Sequence, residues 1–176
     1  MTYDVVLLIE QALSASDASR VRSLHEGIED AVVYHVLLPV EDAATRVESA
    51  IAALPTTEYM GTLAMGHTNI DLDIVEKEAR QRASQQLDAT LALLRDSGAT
   101  ADGNLVEEPV EALVDKVKQV DGREAIILTS PHVVAEFFHV DWTARARHKV
   151  GVPVLHLLEH ETFDEQAGEG EGINGF

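Results

Sequence analysis

The sequence predicts an α/β domain with a doubly wound, mostly parallel five-stranded sheet and helices on both faces. Two observations carry this. Short apolar runs rich in β-branched residues, such as Val5-Val6-Leu7-Leu8-Ile9 and Ala125-Ile126-Ile127-Leu128, read as strands buried on both faces. Between them lie segments whose apolar residues recur at helical spacing, and strands alternating with helices build a parallel sheet with crossover connections.

The elements follow in order. After the first strand, Ser14 or Ser16 can cap a helix whose stripe is Ala18, Val21, Leu24 or His25, and Ile28, with Gly27 helping to end it. Ala31 to Leu38 forms the second strand and stops at Pro39, where a backbone donor is lost. Residues 40–73 form an excursion or loop of mixed character. Ile74 to Arg95 is a long amphipathic helix with Ala79, Ala83, Leu87, Thr90, Leu91 and Leu94 on one stripe, ended by Ser97-Gly98. Ala99 to Val106 is the third strand. Pro109 opens the next helix, with Val110, Leu113, Val114 and Val117 on one face and Asp121-Gly122 at its end. Ala125 to Leu128 is the fourth strand, and a loop leads to a short helix from Asp141 to Lys149. Gly151 closes that helix before the last strand, Val152 to Leu158. Residues 1–158 thus make one domain, and the acidic, Gly-rich stretch 159–176 reads as a frayed tail.

Composition narrows the function classes. With 45% hydrophobic and 25% charged residues in 176, the chain has the material for one ordinary core. There is no cysteine, which removes disulfides and thiolate chemistry. The start, Met1-Thr2-Tyr3-Asp4, has no basic region, and the apolar run after it is too short for a signal peptide or membrane span, so a cytoplasmic protein without a membrane anchor is expected. Thirty-one acidic residues against 13 basic ones give a formal charge of -18, a field that repels nucleic acid and anionic lipid. Only Lys77, Lys116, Lys118 and Lys149 are lysines, which with the acidity fits either a salt-rich host or plain solubility.

The third quarter of the chain carries a resemblance. Val106-Glu107-Glu108-Pro109-Val110-Glu111-Ala112-Leu113, then Asp121-Gly122-Arg123-Glu124-Ala125-Ile126-Ile127-Leu128-Thr129-Ser130, and finally Val152-Pro153-Val154-Leu155 resemble the cadence of the universal stress protein family, with its closing Cys-Pro-Val-Leu strand. The likeness spans residues 3–38 and 75–158, and it implies the adenine nucleotide alpha hydrolase-like variant of the fold. ATP-binding members of that family carry Gly-x2-Gly-x9-Gly and then Ser or Thr after strand four. Without Cβ atoms, the loop can bring successive N–H groups close to phosphate. Counted forward from strand four, these positions fall on Thr129, His132 and Trp142, with Thr143 at the hydroxyl; counted back from Pro153, the last two fall on Val140 and Asp141. In either register there is no glycine from Arg123 to Val150. In the second register Asp141 also sets a carboxylate where phosphate would lie. The resemblance therefore implies a protein that does not bind ATP in the usual way, uses no cofactor and is not an enzyme.

What remains of a nucleotide pocket would be Glu10 at the family's acidic position, Val36 where backbone meets an adenine ring, and Thr129, Ser130, His132 and Thr143. Such a pocket leaves a small-ligand or nucleotide sensor open. His132, His139, Asp141 and His148 crowd one region, but none of these histidines has the helical spacing that fixes a ligand pair, so a metal protein or histidine enzyme is the weaker alternative. His35 and His156 read as satisfied core or interface groups. Phe137, Phe138 and Trp142 read as a plug in the space that nucleotide fills in relatives, or as an apolar groove for a ligand or partner. No nucleophile elbow, Walker loop, His-Glu-x-x-His or CxxC motif is present.

The family's last strand pairs with its copy at the sheet edge. Here Val152, Val154, Leu155, His156, Leu157 and Leu158 are apolar on both faces, without the lysines or inward charges that blunt an exposed edge. The expectation is a homodimer through this strand, with His156 near the two-fold axis so that acid loosens it. The ligand, if any, and any protein partner are not named by the sequence.

Overall fold

The computed structural model describes residues 1–40, 72–129 and 149–158 of the chain. Five strands form one sheet in the order β3-β2-β1-β4-β5. They are β1 Thr2–Ile9, β2 Ala31–Pro39, β3 Thr100–Val106, β4 Glu124–Thr129 and β5 Val154–Leu158, and every pairing is parallel. Three helices are described in full: α1 Ala15–Ser23, α2 Leu72–Asp96 and α3 Pro109–Val120. The expected class is therefore observed.

Strand alternation divides the interior into two layers. Val5, Leu7 and Ile9 of β1, Tyr34, Val36 and Leu38 of β2, and Ile126 and Leu128 of β4 pack with Ala18 and Val21 of α1 and with Leu87, Leu91 and Leu94 of α2. On the other face Val6, Leu8, Leu37, Ala125 and Ile127 pack with Leu113, Val114 and Val117 of α3 and with Val150. The α2 stripe read from the sequence is buried throughout, from Ala79 to Leu94. At its centre the Thr90 hydroxyl accepts a hydrogen bond from the Leu13 backbone N–H at 3.1 Å, and both groups are buried. That bond ties the loop after β1 to α2, and leaving either group unmade would cost about 1–3 kcal/mol.

Helix ends follow local chemistry. Ser14 caps α1, its side chain accepting from the Asp17 N–H while the Asp17 carboxylate accepts from the Ser14 N–H. Pro109 is at the start of α3. At the end of α3 the left-handed residue is Asp121, with φ 51°, and not the glycine beside it. Gly98 closes α2 with φ 88°.

Several boundaries differ from the sequence reading. The first helix ends at Ser23, so Leu24, His25 and Ile28 lie beyond it; the His25 ring turns inward, close to the Val21 carbonyl and the Tyr34 hydroxyl. Pro39 belongs to β2, because its missing donor costs nothing at the strand's last residue. β4 gains Glu124 and Thr129 at its ends. β5 begins at Val154, since Val152 and Pro153 approach the sheet before ladder pairing starts, with the Pro153 carbonyl accepting from the Ala125 N–H at 2.9 Å. The expected excursion over 40–73, apart from its ends, most of the helix from Asp141 to Lys149, and the whole tail 159–176 fall outside the described residues.

α2 lies close over β3 at Gly103, where an added Cβ would stand 2.7 Å from Leu87 Cδ1 and 3.0 Å from the Val36 carbonyl oxygen. The leucine tip could yield, but the carbonyl belongs to the β2 ladder. Gly103→Val is therefore expected to lower stability by about 1–3 kcal/mol, the usual cost of overpacking. Urea denaturation of the variant against the parent measures it, and an unchanged midpoint would show that α2 does not press on β3.

Candidate functional site

The strand order places a switch point between β1 and β4. From β1 the chain moves outward to β2 and β3, then returns to β4 and β5 on the other side. Crossovers diverge there, and open α/β sheets leave a crevice at the carboxyl ends of such a strand pair. Glu10 follows β1 at this point, and its N–H donates to the Leu128 carbonyl at 3.2 Å. Thr129, the last residue of β4, is 5% exposed, and its hydroxyl lies 2.9 Å from His156 Nε2 on β5. The structure thus brings Glu10 and Thr129 together at the mouth. Val36 is level with Leu7, not with Glu10; its side chain is fully buried against α2, and its strand is paired on both sides, with Leu7 and Gly103 as its partners. Ser130, His132 and Thr143 lie outside the described residues, as do His139, Asp141, His148, Phe137, Phe138 and Trp142.

The opposite, amino-terminal end of the sheet holds two polar clusters, one on each face. Beneath α1, His25 is 6% exposed, and its Nε2–H donates to Glu124 Oε1 at 2.6 Å. Its Nδ1 is 2.9 Å from both the Val21 carbonyl and the Tyr34 hydroxyl, so the ring's proton count decides which of those bonds forms. The Tyr3 hydroxyl donates to the second Glu124 oxygen at 3.3 Å. The two tyrosine rings stand 6.0 Å and 5.4 Å from the imidazole, Tyr34 edge-on. On the α3 face, His35 on β2 lies between Asp4 of β1 and Asp102 of β3, with Nε2 2.9 Å from Asp4 Oδ1 and Nδ1 2.9 Å from Asp102 Oδ2.

Sequence reasoning treated His35 and His156 as satisfied groups, and each indeed has a partner. It did not find Asp4, Asp102 or Glu124. No local pattern marks them, because the pairing crosses 31, 67 and 99 residues of chain and needs the strand order to appear. Among the described residues no group of three or more histidine and acidic side chains is arranged to hold a metal ion. No helix among them is long and apolar enough to cross a membrane.

No family model matches the sequence, and no curated protein matches it. Solved structures do match. Hypothetical protein MJ0577, from work on structure-based assignment of biochemical function, aligns at a TM-score of 0.59 with 13% identity over 92% of this chain and 100% of its own. A protein of the universal stress protein family from Burkholderia pseudomallei aligns at 0.49 with 16% identity, covering 88% of this chain and 96% of its own. The universal stress protein from Archaeoglobus fulgidus aligns at 0.46 with 18% identity over 89% and 94%, and its complex with dAMP has also been solved. At such identities the likeness is one of fold. The chain's five-stranded parallel α/β fold is similar to that of hypothetical protein MJ0577.

The buried cluster makes a pH prediction. Burial above all, with the Glu124 charge adding to it and Arg22 opposing, pushes the Tyr34 phenol up from 10.0 to about 12. The neutral phenol is thus favoured in the folded chain, so stability is fully present below pH 10 and falls as pH rises towards 12, while the unfolded chain ionises first. Tyr34→Phe is expected to flatten that alkaline limb in urea titrations. An alkaline limb of unchanged slope would place its cause elsewhere.

Proposed function

We propose that this chain is a non-catalytic, universal stress-like protein that acts as a dimeric regulatory or interaction module and does not bind ATP in the usual way. The observation that supports this reading is the state of Thr129. At the place where ATP-binding members of the family begin their glycine loop, this chain has a buried side chain whose hydroxyl is bonded to His156. A phosphate nest needs backbone N–H groups brought close to the anion. Here a Cβ and a hydroxyl occupy that first position, and no glycine follows until Gly151.

A second reading, a small-ligand or nucleotide sensor with a remodelled pocket, is favoured by the placement of Glu10 and Thr129 at the carboxyl ends of β1 and β4, at the switch point. An acidic residue there suits a ligand that presents hydroxyl or other hydrogen-bond donors. Calorimetry with Mg-ATP is expected to show weak binding or none, and sub-micromolar affinity would overturn the first reading. Thermal shifts with nucleosides and nucleoside monophosphates test the second, since a ligand selective for the folded state raises the melting temperature.

The dimer is proposed through β5. Among the described residues nothing pairs with its outer edge, and Leu155 is 39% exposed. The other edge strand, β3, carries Asp102, Gly103 and Asn104, residues that discourage pairing; β5 carries Val154, Leu155, His156, Leu157 and Leu158. Of the apolar residues read as a dimer surface, Leu157 instead packs into the α1 and α2 layer at 1% exposure. The apolar drive at this edge therefore falls mainly on Leu155, with backbone pairing supplying the rest. Light scattering at neutral pH and micromolar concentration is expected to give about twice 19.1 kDa, and Leu155→Glu to halve it. A monomeric parent would remove the dimer, and a variant that stayed dimeric would move its interface elsewhere.

A further inference from the structure

We propose that Asp4, His35 and Asp102 form a proton-dependent clasp that holds edge strand β3 onto the sheet, so that loss of one proton from the imidazole frees that edge. The three side chains come from adjacent strands and lie on the α3 face, because Asp4 shares its pleat side with Val6 and Leu8, and His35 with Leu37. Each ring nitrogen meets a carboxylate oxygen at 2.9 Å. Ionised carboxylates only accept hydrogen bonds, so both nitrogens must donate, which needs the doubly protonated ring. A neutral imidazole has a single N–H, and its other nitrogen would aim a lone pair at a carboxylate.

Exposure decides which contact gives way. The His35 side chain is 10% exposed and Asp4 16%, but Asp102 is 58% exposed. Burial would raise the Asp4 carboxyl, yet hydrogen bonds from His35 and Thr2, with the charges of His35 and Arg123, hold it below its ordinary range. Asp4 therefore stays ionised and keeps the remaining N–H, while Asp102 can turn into water. Other charges near this cluster include Lys116 of α3, whose ammonium donates to Asn104 Oδ1 at 3.0 Å, and Arg123, whose charge acts on Asp4 and whose backbone N–H donates to the Asp4 carbonyl.

β3 is the strand such a release would affect. Among the described residues it pairs only with β2, and its centre is Asp102-Gly103-Asn104, with weak preference for extended structure. What else holds it is the contact with α2 at Gly103 and the Arg95 guanidinium, which donates twice to the Ala101 carbonyl at 3.0 and 2.7 Å.

The test uses the full chain labelled with nitrogen-15. Nitrogen-15 shifts of the His35 ring report directly whether both of its nitrogens carry a proton. As pH rises through the ring's deprotonation, β3 amides, corrected for intrinsic exchange, should lose protection roughly two- to fivefold, a size set by the exposure of Asp102. β1 and β4 amides serve as the internal reference and should hold. In Asp102→Asn, an exposed change that leaves Asp4 and His35 in place, the β3 step should vanish. A His35 ring with a single proton while both carboxylate contacts persist, a β3 step of equal size in Asp102→Asn, no step at all, or an equal loss across β1 and β4 would each overturn the clasp.

Discussion

The architecture depends on β1 being enclosed from every side. It is paired with β2 on one edge and β4 on the other, and covered by α1 and α2 on one face and α3 on the opposite one. Val5 through Ile9 are consequently all buried, with no polar position in the run. A strand in that position needs crossovers on both sides of the sheet, and these create the switch point where Glu10 and Thr129 meet.

Polar groups survive in this interior only where partners reach them. His25, His35, Thr90 and Thr129 are each buried, and each is met by a carboxylate, a backbone group or a second hydroxyl or imidazole. The two histidine clusters lie at the amino end of the sheet on opposite faces, with Tyr3 serving one and Asp4 the other. Adjacent residues of β1 thus divide their side chains between two electrostatic environments, which follows from the pleat.

The two ends of the sheet differ in character. The amino end is closed by ion pairs and aromatic rings. The carboxyl end has a buried threonine, bonded to His156, and an acidic residue at the switch point. The two edges differ as well: β3 is short of apolar side chains, and β5 is built from them.

The sequence by itself determined the class of fold and most element positions, because a five-residue apolar run and a stripe recurring from Ala79 to Leu94 each satisfy only one kind of packing. It also determined the absence of glycine across 123–150. Strand boundaries at Pro39, Glu124 and Val154 shifted by a residue or two, since ladder pairing and not composition ends a strand. The fate of His25 was not legible: at helical spacing it reads as the next turn of α1, and only the arrival of Glu124 and Tyr34 from β4 and β2 draws it inward. Asp4 and Asp102 were equally silent, being ordinary acidic residues in an acidic chain. The tertiary structure alone decided that they flank His35, because parallel register sets Asp102 opposite that histidine, and no local pattern encodes which strands become neighbours.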